Sequence, residues 1–473
     1  MSEARLPPFR WVSKRHELGL LALGVLLSFV AGFSIFIFGS PVSSLAVGGG
    51  VAALGFTALL FRKPVWAVYG AVLVVFLPQG LIPSGFHSLL NRAMLLLALG
   101  LWLLDVAIHE RRMVWLGPAL LLLLFVIWST ITLLWASDLT QGLDRIAQYA
   151  SRLILFLVVV VNQIDSTDKL DGLMDVMAII GWLLVVLGLE QLGFRGYGAR
   201  LQVLDENINA YGISLLVMMP GVLWRAVKSP DSPGVGRAVL GFLYVALALV
   251  LIALTASRGS VLSLGIALVL FSVWRPTRPW AAVALILAFI GIAVAPSAFS
   301  ALVERSAEEG ALGGRLPIWE ASWMLIRDHP WRGVGIGNAD EAVMPYLRML
   351  TRTWGRTERA IHNPVLQIWA ETGVPGVLLY LGMLANTFFL FGRRYLRSRN
   401  QGERSLFPYF ALVSCVSIGY LFSWIKGGGM EHHPSVFLLL SLLLIPSRIR
   451  SEEDRADGEV PLLRRLVGGR TDE

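Results

Sequence analysis

Long apolar runs separated by short polar segments extend along almost the whole chain. The runs fall at about 17–38, 44–61, 64–82, 91–109, 115–136, 150–163, 171–193, 208–228, 238–255, 259–274, 279–298, 363–391, 405–425 and 434–449. A helix needs roughly 20 apolar residues to cross a bilayer, and no long run alternates with the two-residue period of a membrane β-barrel. The pattern therefore predicts an all-α, polytopic transmembrane helix bundle. We expect 12–14 spans, because the runs at 150–163 and 259–274 are short and the run at 44–61 is rich in glycine.

The composition supports an integral membrane protein. Hydrophobic residues make up 56% of the 473 residues and charged residues make up 15%, whereas soluble domains carry about 25% charged residues. The first apolar run is too long for a cleaved signal peptide, so we expect it to remain as the first span. Cys415 is the only cysteine, which excludes an internal disulfide and a cysteine-based metal site.

Lysine and arginine residues cluster in alternate loops, and this asymmetry predicts the orientation in the membrane. The basic clusters lie at 5–15, 62–63, 111–112, 225–237, 275–278, 393–404 and 448–450. All of them belong to one side, so we expect both termini to be cytoplasmic and the segment 300–362 to face the periplasm. The net charge of +8 then reflects membrane topology and gives no indication of nucleic-acid binding.

The predicted organisation is one membrane domain with a large polar loop. We expect a cytoplasmic segment at 1–16, helices with short loops at 17–299, the periplasmic loop at 300–362, further helices at 363–449 and a cytoplasmic tail at 450–473. The loop carries eight arginines, eight acidic residues and no lysine. Within it, residues 314–320 open a predicted helix that reaches about Arg327, and a glycine-rich turn follows at 329–338.

Three shorter outward segments are also expected. The apolar spacing within 136–152 suits a helix that lies on the membrane interface. Residues 194–210 form a polar connection, and residues 255–260 form a very short turn between two apolar runs.

Arginines on these outward segments are candidates for binding an anionic substrate. Arg258 lies on the short turn, at or just under the membrane surface, where a charge indicates function unless it snorkels to lipid headgroups. Arg200 and Arg315 lie on different outward segments that could converge above the same cavity. Arginine binds phosphate through two parallel hydrogen bonds, so this set suits a diphosphate. The alternative for each loop arginine is a solvated or salt-bridged surface role.

His362 is the main candidate for proton transfer. It follows the polar loop directly, at the outer mouth of the 363–391 helix, and histidine can take a proton from a hydroxyl near neutral pH. His432 and His433 in the last outward loop are candidates for a second polar contact. The histidine spacing gives no helix-borne pair of zinc ligands, so neither a metal site nor a cofactor is predicted.

Gln367 and Glu371 are four residues apart and therefore lie on one helix face. Glu371 lies about two and a half turns below His362, on nearly the opposite face. We therefore expect this pair to hydrogen-bond within the bundle, rather than to act on a substrate.

Four groups of residues, taken in order, resemble the O-antigen ligase and polymerase superfamily of bacterial membrane glycosyltransferases. They are Trp-Ala-Ser-Asp at 135–138, Arg200 with Asn-Ile-Asn-Ala at 207–210, Thr-Ala-Ser-Arg-Gly at 255–259, and Gly314, Arg315, Ile318 and Trp319 leading to His362, Asn363, Leu366, Gln367, Glu371, Thr372, Gly373 and Gly376. Together they cover roughly residues 128–392. Each group alone is weakly specific, whereas the ordered set with a long outward loop before the histidine is fairly specific.

The resemblance implies a periplasmic active site in the bacterial inner membrane. Members take a glycan from undecaprenyl diphosphate and join it to a hydroxyl, in an inverting reaction that needs no nucleotide sugar, metal or cofactor. The resemblance also assigns residue roles. His362 would be the catalytic base or would orient the acceptor, Arg200 and Arg258 would bind the diphosphate, and Arg315 would assist them. The supporting residues would be Asn209, Asn363, Gln367 and Glu371.

The acceptor separates the functions that remain open. An O-antigen ligase uses lipid A–core oligosaccharide in lipopolysaccharide biosynthesis, and this is the favoured interpretation. An O-antigen or exopolysaccharide polymerase uses a second lipid-linked repeat, and fourteen spans are closer to some polymerases than to ligases. A transporter of polysaccharide or lipid-linked glycan is the non-enzymatic alternative. It would place charges near the centres of spans, whereas these spans are mostly free of charge.

Overall fold

A computed structural model describes residues 63–81, 84–108, 113–194, 201–204, 207–228, 234–294, 315–351, 361–427 and 432–449. The chain divides into two compact units, Met1–Ala67 and Val68–Glu473, and almost all described residues belong to the second. Several sequence predictions fall outside the described residues, namely Arg200, the runs at 17–38 and 44–61, residues 300–314 and 352–360 of the large loop and the two terminal segments that are predicted to be cytoplasmic.

The described part of the chain is helical and contains no strand, which confirms the predicted all-α class. The helices, numbered in chain order, are α1 (Val65–Val75), α2 (Ser84–Ile108), α3 (Gly117–Thr132), α4 (Leu139–Gln163), α5 (Thr167–Phe194), α6 (Ile208–Val227), α7 (Val235–Leu254), α8 (Arg258–Val273), α9 (Arg278–Val294), α10 (Leu316–Asp328), α11 (Ala339–Ala342), α12 (Met344–Leu350), α13 (Pro364–Asn400), α14 (Phe407–Ile425) and α15 (Pro434–Leu444).

Eight described helices are long and apolar enough to cross a membrane, namely α2 to α7, α13 and α14. Four shorter apolar helices, α1, α8, α9 and α15, accompany them. Each predicted run after residue 63 coincides with one of these helices, and the protein is therefore a multi-pass membrane protein. Successive membrane helices reverse direction, so α4, α6, α8, α13 and α15 all begin at one end of the bundle. We call this the outer end, because the basic clusters lie in the loops at the other end.

The interfacial helix predicted at 136–152 is instead the first half of a longer helix. α4 begins after Asp138, whose carboxylate accepts two backbone N–H bonds of the first turn (2.8 and 3.1 Å). The helix then continues to Gln163, because no glycine or proline interrupts residues 143–163. Its residues 153–160 form a π-helix, a local widening that is often found near functional sites.

Small residues lie at close helix contacts. On α14, Gly419 lies against the carbonyl of Ser263 and the methyl group of Ala267, both on α8. On α6, Gly221 lies against Met177 of α5. Lipid tails are as apolar as the side chains, so helices in a bilayer associate through close packing, which small residues permit.

An ionic cluster joins α5 and α6 at the end opposite the outer end. Asp171 accepts hydrogen bonds from Trp224 Nε1 (2.7 Å) and Arg225 Nη1 (2.9 Å). Lys228 Nζ donates to both oxygens of the same carboxylate (2.9 and 2.7 Å). Arg225 also forms a two-bond pair with Asp175 (2.9 and 2.6 Å). Two carboxylates thus neutralise two cations that belong to the basic clusters of the sequence.

We predict that Asp171→Asn destabilises the protein. The side chain is 12% exposed, and its loss leaves half-buried cations with fewer acceptors, which should lower the free energy of unfolding by about 2 kcal/mol. Asp175→Asn is the matched control, because that side chain is 48% exposed and should cost less than about 1 kcal/mol. Thermal unfolding of the purified protein in detergent measures both. Equal losses for the two variants would contradict the assignment of Asp171 as the centre of the cluster.

Candidate functional site

Besides α4, which Asp138 caps, four helices that start at the outer end have polar caps. The capping side chains are Asn207 for α6, Ser257 for α8, Asn363 for α13 and His433 for α15. The aligned peptide dipoles of a helix place partial positive charge at its start. Four such starts on one side of the bundle favour an anionic ligand there.

Arg258 is the first residue of α8, and short side chains hold the turn before it. Ser257 Oγ donates to Asn209 Oδ1 of α6 (2.8 Å) and lies 3.0 Å from Ser260 Oγ. Ala256 has a left-handed φ of 48°, which is uncommon for a residue with a side chain. These contacts fix the start of α8, and thus Arg258, against the start of α6.

Three segments that carry arginines contact the end of α14 or the start of α15. Arg315 Nη1 donates to the carbonyl of Lys426. Arg145 of α4 hydrogen-bonds to Nδ1 of His432 (2.9 Å). Gly259, which follows Arg258, lies against the last turn of α14. A Cβ on Gly259 would lie 3.1 Å from Oγ of Ser423. The outer end is therefore rich in guanidinium groups.

His362 lies between the outer loop and the start of α13. Its neighbour Ile361 is fully buried, donates its N–H to Asp340 (3.2 Å) and accepts from Trp319 Nε1 (3.1 Å). His362 itself is half-buried and has a left-handed φ of 55°, a conformation that concentrates at functional sites. Trp319 follows Arg315 by one turn of α10, so these contacts place His362 near the Arg315 end of that helix.

Gln367 and Glu371 form the hydrogen bond that their spacing predicts. Gln367 Nε2 donates to Glu371 Oε1 (2.6 Å), and both side chains are buried. Asn363 caps the same helix by accepting from two backbone N–H groups (3.0 and 3.1 Å). The pair and the cap stiffen the part of α13 that follows His362.

α13 is interrupted at Gly373, where φ is 66° and ψ is −169°. The carbonyls of residues 370 and 371 accept from the backbone N–H groups of Val334 and Gly335 (2.8 and 2.9 Å). The next carbonyl accepts from Trp128 Nε1 (2.7 Å). An unsatisfied backbone group at membrane depth costs several kcal/mol, so these external donors permit the break.

The loop 330–338, which we call the glycine-rich loop, binds the corner between α3 and α4 with its other side. Asn338 is 2% exposed and accepts from Ser137 Oγ (2.8 Å) and from the backbone N–H of Asp138 (2.6 Å). Ile336 donates its N–H to a threonine hydroxyl at the end of α3 (3.0 Å). The loop therefore ties the helix that carries Arg145 to the helix that follows His362.

Residues 315–351 and 361–372, which we call the outer subdomain, have a small apolar core of their own. Its buried members are Ile318, Ala321, Leu325, Ile326, Ala339, Val343, Met344, Leu347, Ile361 and Ala370. At its surface, Tyr346 donates to Asp328, and this hydrogen bond raises the pKa of Tyr346 to about 12. The core holds the backbone on both sides of His362.

The structure shows local contacts for most of the residues that the sequence selected. Asn209 bonds the turn that precedes Arg258, Arg315 bonds the end of α14, and His362 lies on the outer subdomain beside α10. Glu371 is fully buried in α13. Among the described residues, no group of three His, Cys, Asp or Glu side chains is placed to hold a metal ion.

Sequence reasoning missed Arg145 and Asn338. The sequence analysis places Arg145 on an interfacial helix, where a charge is ordinary. On a helix that spans the membrane, a charge indicates function. Asn338 ends the predicted glycine-rich turn, and its contacts with 137–138 join two groups that the resemblance treated separately. The sequence alone gives no indication of these contacts, because only the fold places the α3–α4 corner beside Asn338.

Residues 243–381 match the protein family described as O-Antigen ligase. Within these residues the chain is similar to the O-antigen ligase family. The match contains α8, the outer subdomain and the first half of α13, and so includes Arg258, Arg315 and His362. No curated protein matches the chain. This match supports the resemblance to the O-antigen ligase superfamily, and with the apolar helices it supports a multi-pass inner-membrane glycosyltransferase of the ligase or polymerase type.

The glycine-rich loop is a sensitive point of the matched region. We predict that Gly335→Ala lowers both stability and activity, because Gly335 has φ +101° and a Cβ there would lie 2.7 Å from the Cα of Ala136. The strained backbone alone costs about 1–3 kcal/mol. Gly392→Ala is the control, since it has no neighbour within 4 Å and lies inside α13. Tm and glycan-transfer rate report the outcome, and a wild-type Tm for Gly335→Ala would show that the loop does not support the break.

Proposed function

We propose that this protein transfers a glycan from undecaprenyl diphosphate to a hydroxyl of lipid A–core oligosaccharide, as an O-antigen ligase. The observation that carries the proposal is that helix starts and arginine-bearing segments lie at the outer end, the end from which the loop leads to His362, within and around the region that matches the O-antigen ligase family. The proposed site faces the periplasm, and both chain termini are cytoplasmic.

The diphosphate of the donor is the group that this arrangement suits. Negative charge develops on a departing diphosphate, so fixed positive charge at that position lowers the barrier. Arg258 and Arg315 supply guanidinium groups that can bind phosphate oxygens in pairs, and the capped starts of α6, α8 and α15 add partial positive charge. Arg145 joins this set because it reaches the same connection through His432.

Arg200 is proposed as a further diphosphate ligand. Leu201, the next residue, donates its N–H to Leu254 O (3.0 Å). That carbonyl ends α7, one residue before the turn that leads to Arg258. The described chain therefore returns to the Arg258 turn directly after position 200.

His362 is proposed to take the proton of the acceptor hydroxyl. The hydroxyl oxygen attacks the anomeric carbon of the donor sugar while the bond from that carbon to the phosphate oxygen breaks. Undecaprenyl diphosphate leaves with the electron pair, and the proton passes to the imidazole of His362. A single displacement from the opposite face inverts the anomeric configuration. In this proposal arginines, rather than a metal ion, stabilise the leaving group. Asn209 and Asn363 hold the turns that carry Arg258 and His362, while Gln367 and Glu371 stiffen α13.

The first test removes the two groups with direct roles. His362→Ala should lower kcat by at least about 100-fold, through loss of the proton acceptor. Arg258→Ala should cause a similar loss, through the uncompensated leaving-group charge. His329→Ala and Arg327→Ala are matched controls from the same outer subdomain, and both should retain near wild-type rates. Turnover is measured with purified, folded protein and a polyprenyl-diphosphate glycan. Wild-type rates for His362→Ala or Arg258→Ala would refute these assignments.

The second test identifies the acceptor. Purified protein with a polyprenyl-diphosphate glycan is given either lipid A–core or a second lipid-linked repeat, in excess chelator. We expect one transfer to lipid A–core and no growth of the lipid-linked chain. A ladder of products on the lipid carrier would assign a polymerase instead. Activity that returns only on addition of a divalent cation would contradict the metal-independent mechanism, and binding without transfer to any acceptor would support a transporter.

A further inference from the structure

Tryptophans gather at the level where α13 breaks. Trp128 of α3 donates to the carbonyl that precedes Gly373 (2.7 Å), and its ring lies 6.3 Å from that of Trp135. On the outer subdomain, Trp369 donates to the backbone of the glycine-rich loop (3.4 Å) and packs edge-on against Trp323 at 5.5 Å. Tryptophan is enriched at membrane–water interfaces, where the ring is apolar and the N–H remains in contact with polar groups.

Trp331 is the most exposed tryptophan of this group. It is 71% exposed, more than any other described tryptophan with a large exposed surface. Its carbonyl is so close to Gly373 that a Cβ on that glycine would collide with it. Trp331 is therefore fixed at the level of the break, and the next residue, Arg332, is exposed beside it.

The length of α13 places this level relative to the bilayer. Residues 374–392 are almost entirely apolar and separate the break from Arg393 and Arg394. This stretch rises about 29 Å as a helix, which matches the hydrocarbon thickness of about 30 Å. Leu378 and Phe389 on the same stretch are 63% and 61% exposed, as expected for a lipid-facing surface. If the two arginines lie at one boundary of the hydrocarbon, the break lies at the other.

We propose that the outer subdomain rests on the outer leaflet of the membrane through Trp331 and Arg332. The indole lies in the interfacial layer, and the guanidinium reaches the lipid phosphates. The α3–α4 corner extends the same surface, because Leu134 there is 85% exposed and adjoins Trp135. A lipid surface fits this arrangement better than a glycan does, since the exposed groups follow the membrane boundary on two separate elements. The inference concerns membrane contact alone and does not depend on glycosyl transfer.

This contact would determine the height of the outer subdomain above the bilayer. The glycine-rich loop that carries Trp331 is bonded to α13 on one side and to the α3–α4 corner on the other. Contact of the indole with lipid therefore holds the segment that follows His362 at a fixed distance from the phosphate layer. The headgroup of a lipid-linked substrate lies in the same phosphate layer.

Site-directed spin labelling tests the contact directly. Cys415 is the only cysteine and is buried, so a Cys415→Ala background carries one label at a time. Trp331→Cys is compared with Leu378→Cys on the spanning part of α13 and with Met349→Cys, which is 73% exposed on α12. The labelled proteins are reconstituted in nanodiscs of phosphatidylethanolamine and phosphatidylglycerol. Collision rates with oxygen, which partitions into lipid, and with a water-soluble nickel chelate are then measured.

We expect the oxygen-to-nickel ratio to be highest at position 378, severalfold lower at 331 and lowest at 349. A ratio at 331 equal to that at 349 would overturn the proposal. Protection of position 331 from the nickel chelate by added lipid A–core, but not by lipid, would assign the surface to a glycan and would also overturn it. Unlabelled Trp331→Ser provides a second measurement, because its Tm should fall less in detergent than in nanodiscs if the lost contact is with lipid. Equal changes in Tm in both media would count against the proposal.

Discussion

The backbone carbonyls at the break in α13 impose the constraint on which the outer half of this protein depends. A helix that stops near a membrane boundary leaves carbonyls without partners, and neither lipid nor an apolar side chain can supply a donor. Here the donors are Val334 and Gly335 of the glycine-rich loop and the indole of Trp128. The loop can approach so closely because its glycines adopt positive φ angles. These hydrogen bonds therefore hold three separated parts of the sequence, namely α3, the glycine-rich loop and α13, together at the break.

The same arrangement accounts for the electrostatic character of the outer end. Each helix that starts there directs partial positive charge outward, and the arginines at 145, 258 and 315 add full charges. Such a concentration of positive charge is unfavourable in the absence of an anion. At the opposite end, by contrast, carboxylates on α5 pair with the cations of α6.

Much of this architecture follows from the sequence. The apolar runs predict the membrane helices because the bilayer permits few alternatives, and the helix at 316–328 begins where its proline predicts. The pairing of Gln367 with Glu371 also follows from helix geometry alone. In contrast, the continuity of α4 depends on the absence of a stop signal, and an amphipathic pattern before an apolar run favours an interfacial helix equally well. The contacts of Asn338 with Ser137 and Asp138 join residues about 200 positions apart, and no local pattern contains that information. The break at Gly373 is partly predictable. A glycine near a proline indicates where a helix can be interrupted, but it does not identify the loop that donates to the exposed carbonyls.

The π-helical segment of α4 separates the registers of its two halves. One residue beyond the α-helical repeat rotates all later side chains by about 100° around the axis. Arg145 and Tyr149, before this segment, face His432, whereas Asn162, after it, hydrogen-bonds to both backbone groups of Val114 (2.9 and 3.0 Å). The extra residue lets each half satisfy its own neighbours. Substitutions before residue 153 that adapt α4 to a different substrate can therefore accumulate without changing the contacts of the residues after 160.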